Sequence, residues 1–166
     1  MDNVLNLIEK RNMVIMSQVM MPSQANVAGN VHGGEIMKMM DTAAGAVARK
    51  YSKSNCVTAR VDELQFHLPI FVGAFVYCTA TLAYTGRSSM EVYVEVTYED
   101  LETEQGPQHA LSAYFTMVAM GKNGRPRTVT KFVPETDREK ELYCAAEKRV
   151  ETYKNRQKTP ESCIAK

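Results

Sequence analysis

The 166-residue chain has almost no excess charge: 20 lysines and arginines against 19 aspartates and glutamates leave a formal net charge of +1. Such a balance lacks the broad positive field of a dedicated nucleic-acid binder, so any anion the protein holds must be met by a local patch. Cysteine is sparse as well. Cys56, Cys78, Cys144 and Cys163 have neither C-x-x-C spacing nor the density of a secreted disulfide scaffold, and no apolar leader segment precedes them. Reduced thiols in a cytoplasmic protein are the expectation. Long apolar runs are missing too. The longest, Ala43 to Ala48 interrupted by Gly45, is far below the roughly 20 residues that cross a bilayer. The three histidines, His32, His67 and His109, show no metal-ligand spacing, and no metal is expected.

What is present reads as one domain over residues 12–133, a helix over 134–158, and terminal segments 1–11 and 159–166, the last without pattern and expected to fray. Asn12 to Met21 is β-branched and methionine-rich and stops at Pro22, as a strand does at a residue that cannot donate to a ladder. Pro22 to Val31 is then loop. Gly33 to Lys50 is apolar around nearly its whole circumference, so this helix must be wrapped. Cys56 to Phe66, Ala74 to Thr85, Met90 to Asp100 and Gln108 to Gly121 read as the strands that wrap it. In the third of these, Val92, Val94, Val96 and Tyr98 alternate with Glu91, Tyr93, Glu95, Thr97 and Glu99, predicting one buried face and one wet face. One early helix followed by a meander of long strands defines an α+β layer. From Pro134, a residue suited to the first helical position, Leu142, Ala146, Val150 and Tyr153 recur at helical spacing and predict an amphipathic surface helix.

The stretch Asn26-Val27-Ala28-Gly29-Asn30-Val31-His32-Gly33-Gly34 runs straight into the apolar helix, which carries one acid, Asp41, in its middle. A carboxylate buried there is costly without a partner. Either a buried hydroxyl or amide satisfies it, or it does chemistry. Asn26 alone reads equally as a turn residue that bonds local backbone. Gly33 and Gly34 read as a helix entry, which is compatible with close approach of a ligand. Ser88 and Ser89 lack the G-x-S-x-G elbow and histidine partner of a serine hydrolase.

Met21 to Gly34 followed by Ile36-Met37-Lys38-Met39-Met40-Asp41 resembles the hot-dog-fold acyl-CoA thioesterases, most closely the cytosolic acyl-CoA hydrolase group. The resemblance continues through Val57-Thr58-Ala59-Arg60-Val61-Asp62, Phe66-His67, Gly86-Arg87-Ser88-Ser89-Met90-Glu91-Val92 and Val133-Pro134-Glu135-Thr136. It implies a long helix wrapped by a five-stranded antiparallel sheet, assembly into dimers and trimers of dimers, and hydrolysis of fatty acyl-CoA without a cofactor, coenzyme A being part of the substrate and product. The family's catalytic asparagine and acid fall on Asn26 and Asp41. A non-catalytic acyl-CoA-binding or sensing domain on the same fold is the alternative.

Helix geometry adds a constraint. Asp41 lies seven residues beyond Gly34, about 10 Å along the axis, so a thioester carbonyl held at the first-turn amides is out of reach of its own chain's carboxylate. Two such helices antiparallel across a two-fold axis would bring the acid of one to the glycines of the other. The free N–H groups near Gly33 and Gly34 then form the expected oxyanion site, with Asp41 as general base or nucleophile and Asn26 orienting water or holding the carbonyl. Coenzyme A phosphates are assigned to Arg87, Ser88 and Ser89 on one strand connection and to Lys122, Arg125 and Arg127 on a later loop. Met37, Met39 and Met40 are the candidates to flank the acyl chain.

Overall fold

The computed structural model describes residues 11–158. The expectations for Cys163 and for residues 159–166 lie outside the described residues. Five strands form a single antiparallel sheet: β1 (Met13–Val19), β2 (Asn55–Phe66), β3 (Phe75–Thr85), β4 (Ser89–Glu99) and β5 (Gln108–Met120), in the order β1-β3-β4-β5-β2. Two helices complete the fold, α1 (Gly33–Ser52) and α2 (Asp137–Lys158), with a short 3-10 turn at Pro22–Gln24 inside the segment read as loop. The strands follow the alternation in the sequence. Val76, Cys78, Ala80 and Leu82 of β3, Val92, Val94 and Val96 of β4, and Leu111, Phe115 and Met117 of β5 turn inward onto Ile36, Met40, Ala43, Ala44, Val47 and Ala48 of α1, all buried.

Helix α1 is not wrapped all round. Gly34, Met37, Lys38, Asp41 and Thr42 are exposed in the single chain, a spacing of i, i+3, i+4, i+7 and i+8 that makes one continuous stripe. The sheet covers one side of the helix and leaves this stripe bare. Its small and polar members could not be recognised as a separate face, because Met37, Ala46 and Gly45 blur the edges of the pattern.

The wet face expected of β4 is also interrupted. Glu91 is only 2% exposed, because α2 lies across the outer face of the sheet there. Leu142 and Ala146 of α2 pack with Ala83 and Tyr114, flanked by Tyr84 and Tyr93, while the Arg149 guanidinium sits over the Tyr114 ring at 4.3 Å. Helix α2 begins at Asp137 rather than at Pro134. A reciprocal cap sets the start: the Thr136 hydroxyl accepts from the Glu139 N–H at 3.2 Å, and the Glu139 carboxylate accepts from the Glu135 and Thr136 N–H groups at 2.8 and 3.0 Å. That satisfies the free donors of the first turn and fixes the boundary more strongly than a proline's preferred φ. Among the described residues, no helix is long and apolar enough to cross a membrane.

Candidate active site

The loop before α1 is tied by Asn26. Its side-chain carbonyl accepts from the Ala28 N–H at 2.9 Å and the Asn30 N–H at 3.2 Å, while its backbone N–H donates to the Asn30 carbonyl at 2.7 Å. Gly29, at φ +83°, supplies the left-handed turn that lets this loop close. The turn reading of Asn26 is therefore realised and does not compete with a ligand role. With the carbonyl occupied by two backbone donors, the free function of the side chain is the NH₂ group, which only donates.

His32 caps α1. Its Nδ1 accepts from the Gly34 N–H at 2.9 Å. Of the two amides expected to serve as oxyanion donors, Gly34 is thus already engaged within its own chain. The Gly33 N–H has no acceptor among the described residues. It lies at the positive end of a 20-residue helix, where developing negative charge is favoured. A Cβ at position 33 would meet the Phe66 ring tip at 3.1 Å, a tight contact that glycine avoids where the ring lies over the helix start. Asn26, Gly33 and Phe66 line a common cavity of about 360 Å³, walled further by Val31, Ile36, His67, Leu68 and Ile70.

Asp41 is two turns away, on the bare stripe of α1. It is exposed in the single chain rather than buried, which corrects the expectation drawn from the helix's apolar composition. The Thr58 hydroxyl of β2 donates to its Oδ1 at 2.5 Å. Strand β2 returns alongside α1 after the left-handed residue Lys53, at φ 53°, and this hairpin-like reversal places residue 58 beside residue 41. Thr58 is the site residue that sequence reasoning did not single out. A threonine in a strand is unremarkable on propensity alone. Only the packing of strand against helix sets it apart. The hydroxyl holds one carboxylate oxygen and leaves the other with no partner among the described residues.

The basic residues assigned to coenzyme A do converge. The Ala119 N–H donates to the Ser88 carbonyl, the Arg127 N–H to the Ala119 carbonyl and the Val129 N–H to the Arg87 carbonyl, at 2.9, 2.9 and 3.0 Å. The turn carrying Arg87, Ser88 and Ser89 thereby sits against the loop carrying Lys122, Arg125 and Arg127, with the three arginines and Lys122 exposed. This cluster is at the Asn55–Met120 end of the sheet, whereas the Gly33 cavity abuts the Phe66–Leu111 end. Nine residues of β5 separate the two ends, about 30 Å. Of the three methionines considered for the acyl chain, Met39 and Met40 belong to the core at 6% and 0% exposure, and Met37 alone is open, at 43%.

A long helix clasped by a five-stranded antiparallel sheet is the hot-dog fold. The thioesterase superfamily model matches residues 28–105. The cytosolic acyl coenzyme A thioester hydrolase of Mus musculus is 39% identical over 123 residues, which is 74% of this chain and 32% of the mouse protein. This chain thus spans about a third of that relative's length. A hexameric acyl-CoA thioesterase solved without ligand is 33% identical with a TM-score of 0.84, covering 89% of this chain and 94% of the other. An acyl-CoA hydrolase from Staphylococcus aureus, solved with butyryl coenzyme A, coenzyme A and coenzyme A disulfide, is 32% identical with a TM-score of 0.81, covering 87% and 88%. That hydrolase has also been solved with a single aspartate, asparagine or threonine replaced by alanine. The chain belongs to the hot-dog-fold acyl-CoA thioester hydrolase family.

Proposed function

We propose that the protein hydrolyses acyl-CoA thioesters to carboxylic acid and coenzyme A at sites built by two copies of the chain. The observation that carries this reading is the split of the machinery. Asn26 and Gly33 line the apolar cavity, while the Thr58-held carboxylate of Asp41 lies about 12 Å further along the same helix. Neither half is complete alone. Two α1 helices running antiparallel, stripe against stripe, set each Asp41 beside the other chain's helix start. The exposed apolar residues Met37 and Val61 give that contact a hydrophobic component. The hexameric state of a similar thioesterase supports an assembly of such dimers.

In the shared site the thioester oxygen sits on the Gly33 N–H and the Asn26 NH₂ group. Asp41 takes a proton from water as the water oxygen attacks the carbonyl carbon, and the negative charge moves to the oxygen held by those donors. Collapse of the tetrahedral species breaks the carbon–sulfur bond, and the departing thiolate regains the proton from Asp41. The basic end of the sheet, with Arg87, Ser88, Ser89, Lys122, Arg125 and Arg127, receives the phosphates of coenzyme A. A cytosolic location accompanies this reading, supported by the mammalian relative's cytosolic character.

Free-thiol release across a panel of acyl-CoA chain lengths tests the activity. Wild type is expected to turn over, and Asp41→Asn to lose about 100-fold or more in kcat while still binding acyl-CoA. Ligand binding without turnover by wild type would make the protein a sensor instead.

A further inference from the structure

The bare stripe of α1 contains one cation, Lys38, between Gly34 and Asp41. Its side chain makes no hydrogen bond or ion pair among the described residues. Lysines of this kind on a solvated face need no explanation, but this face is the one the two-chain site covers. If Asp41 of each copy lies opposite Gly34 of the other, the two-fold axis passes halfway between positions 34 and 41, between Met37 and Lys38. Both copies of Lys38 are then enclosed at the centre of the helix pair. An ammonium enclosed without a counter-charge is costly, and the only acid on the stripe is Asp41.

We propose that Lys38 is a positioning residue for the reaction, its ammonium pairing across the two-fold with the free oxygen of the partner's Asp41. The proposal rests on the two-chain site described above. Along the axis Lys38 is four residues, about 6 Å, from its own Gly34 and therefore equally far from the partner carboxylate opposite that glycine. The length of a lysine side chain spans this gap. Thr58 holds Oδ1 of the carboxylate, and Lys38 steadies the second oxygen until water displaces it. The ammonium also stays within one turn of the negative charge before and after it passes from the carboxylate to the oxygen on the Gly33 N–H. It touches neither the thioester nor the attacking water. Along the helix pair the order is carboxylate, ammonium, ammonium, carboxylate, so each ammonium beside the axis has a carboxylate on its outer side, which offsets the repulsion between the two ammonium groups.

The test measures kcat and KM for thiol release, with assembly mass by light scattering, for Lys38→Met, Lys38→Arg, Asp41→Asn and the Lys38→Met/Asp41→Asn double variant. Lys38→Met keeps the apolar stem and is expected to lower kcat about tenfold or more with KM little changed and assembly intact. Lys38→Arg restores most of the loss. The double variant is no slower than Asp41→Asn, because Lys38 acts through that carboxylate. Should Lys38→Met dissociate, kcat is read at the concentration that restores the assembly. A purely structural lysine would then give full kcat and overturn the proposal, as would a loss that adds to that of Asp41→Asn. Wild type that releases no thiol, or Asp41→Asn as fast as wild type, overturns the underlying site along with it, whereas a silent Lys38→Met beside an inactive Asp41→Asn overturns the lysine alone.

Discussion

Single atoms decide what Asn26 can do. Its carbonyl oxygen secures the loop through two backbone N–H groups, and its NH₂ group is the part left for a ligand. The two functions come apart in a pair of substitutions. Asn26→Asp keeps an oxygen acceptor for the loop and removes both donors, so kcat should fall about 100-fold while the melting temperature holds. Asn26→Ala removes the loop bonds as well, and should lose a further 1–2 kcal/mol or so of stability. An active Asn26→Asp enzyme would reduce the residue to a loop tie. The family motif pointed to Asn26 and Asp41 as candidates, yet could not show which face of the asparagine was spent, nor that His32 occupies the Gly34 amide. Those are matters of local hydrogen-bond direction. Thr58 was invisible for a different reason: its importance comes from a contact 17 residues away in sequence.

At the scale of elements, the periodicity of two in the strands and the apolar density of α1 were legible, because one side of each is pressed against the core whatever the loops do. What the pattern could not reveal is what lies across the other side. Glu91 alternates with inward valines and reads as wet, but α2 covers it. There its carboxylate accepts from the Thr116 hydroxyl at 2.9 Å, near Arg60 and Arg149. Burial pushes the Glu91 carboxyl above its ordinary value, outweighing the opposing help from Thr116, Arg60 and Arg149, while Asp62 pushes it further in the same direction as burial. The folded state therefore binds the Glu91 proton more tightly than the unfolded chain. Its contribution to stability is full below the ordinary glutamate range near 4.5 and is lost as pH rises through the raised folded value. Glu91→Gln keeps an acceptor for Thr116 and never bears the charge. Thermal melts from pH 4 to 8 should show the variant gaining on wild type as pH rises, by on the order of 1 kcal/mol at neutrality. A variant that falls behind at neutral pH would mean that the two arginines outweigh burial. The cysteines show the same dependence on place: Cys78 is buried between sheet and helix with its thiol pushed up to about 12, whereas Cys144 on α2 is exposed.

In the proposed site no single copy supplies every part. Its apolar cavity and glycine amide lie at one end of the sheet, its carboxylate midway, and its basic turns at the other end. The sequence hinted at this through the seven-residue gap between Gly34 and Asp41, which helix geometry converts to a distance no side chain bridges. Mixing two inactive variants turns that distance into a measurement. In a dimer of Asn26→Asp with Asp41→Asn, one site carries both defects, and the other pairs an intact Asn26 with an intact Asp41 from the opposite chain. Random exchange of equal amounts makes about half of all dimers mixed, each with one working site of two, so about a quarter of wild-type activity should return. The time course should follow subunit exchange, observed independently by native mass spectrometry with one of the two variants uniformly isotope-labelled. A site contained in one chain would give no recovery at all, since every copy would carry its own defect, and complete exchange without regained thiol release would refute the shared architecture.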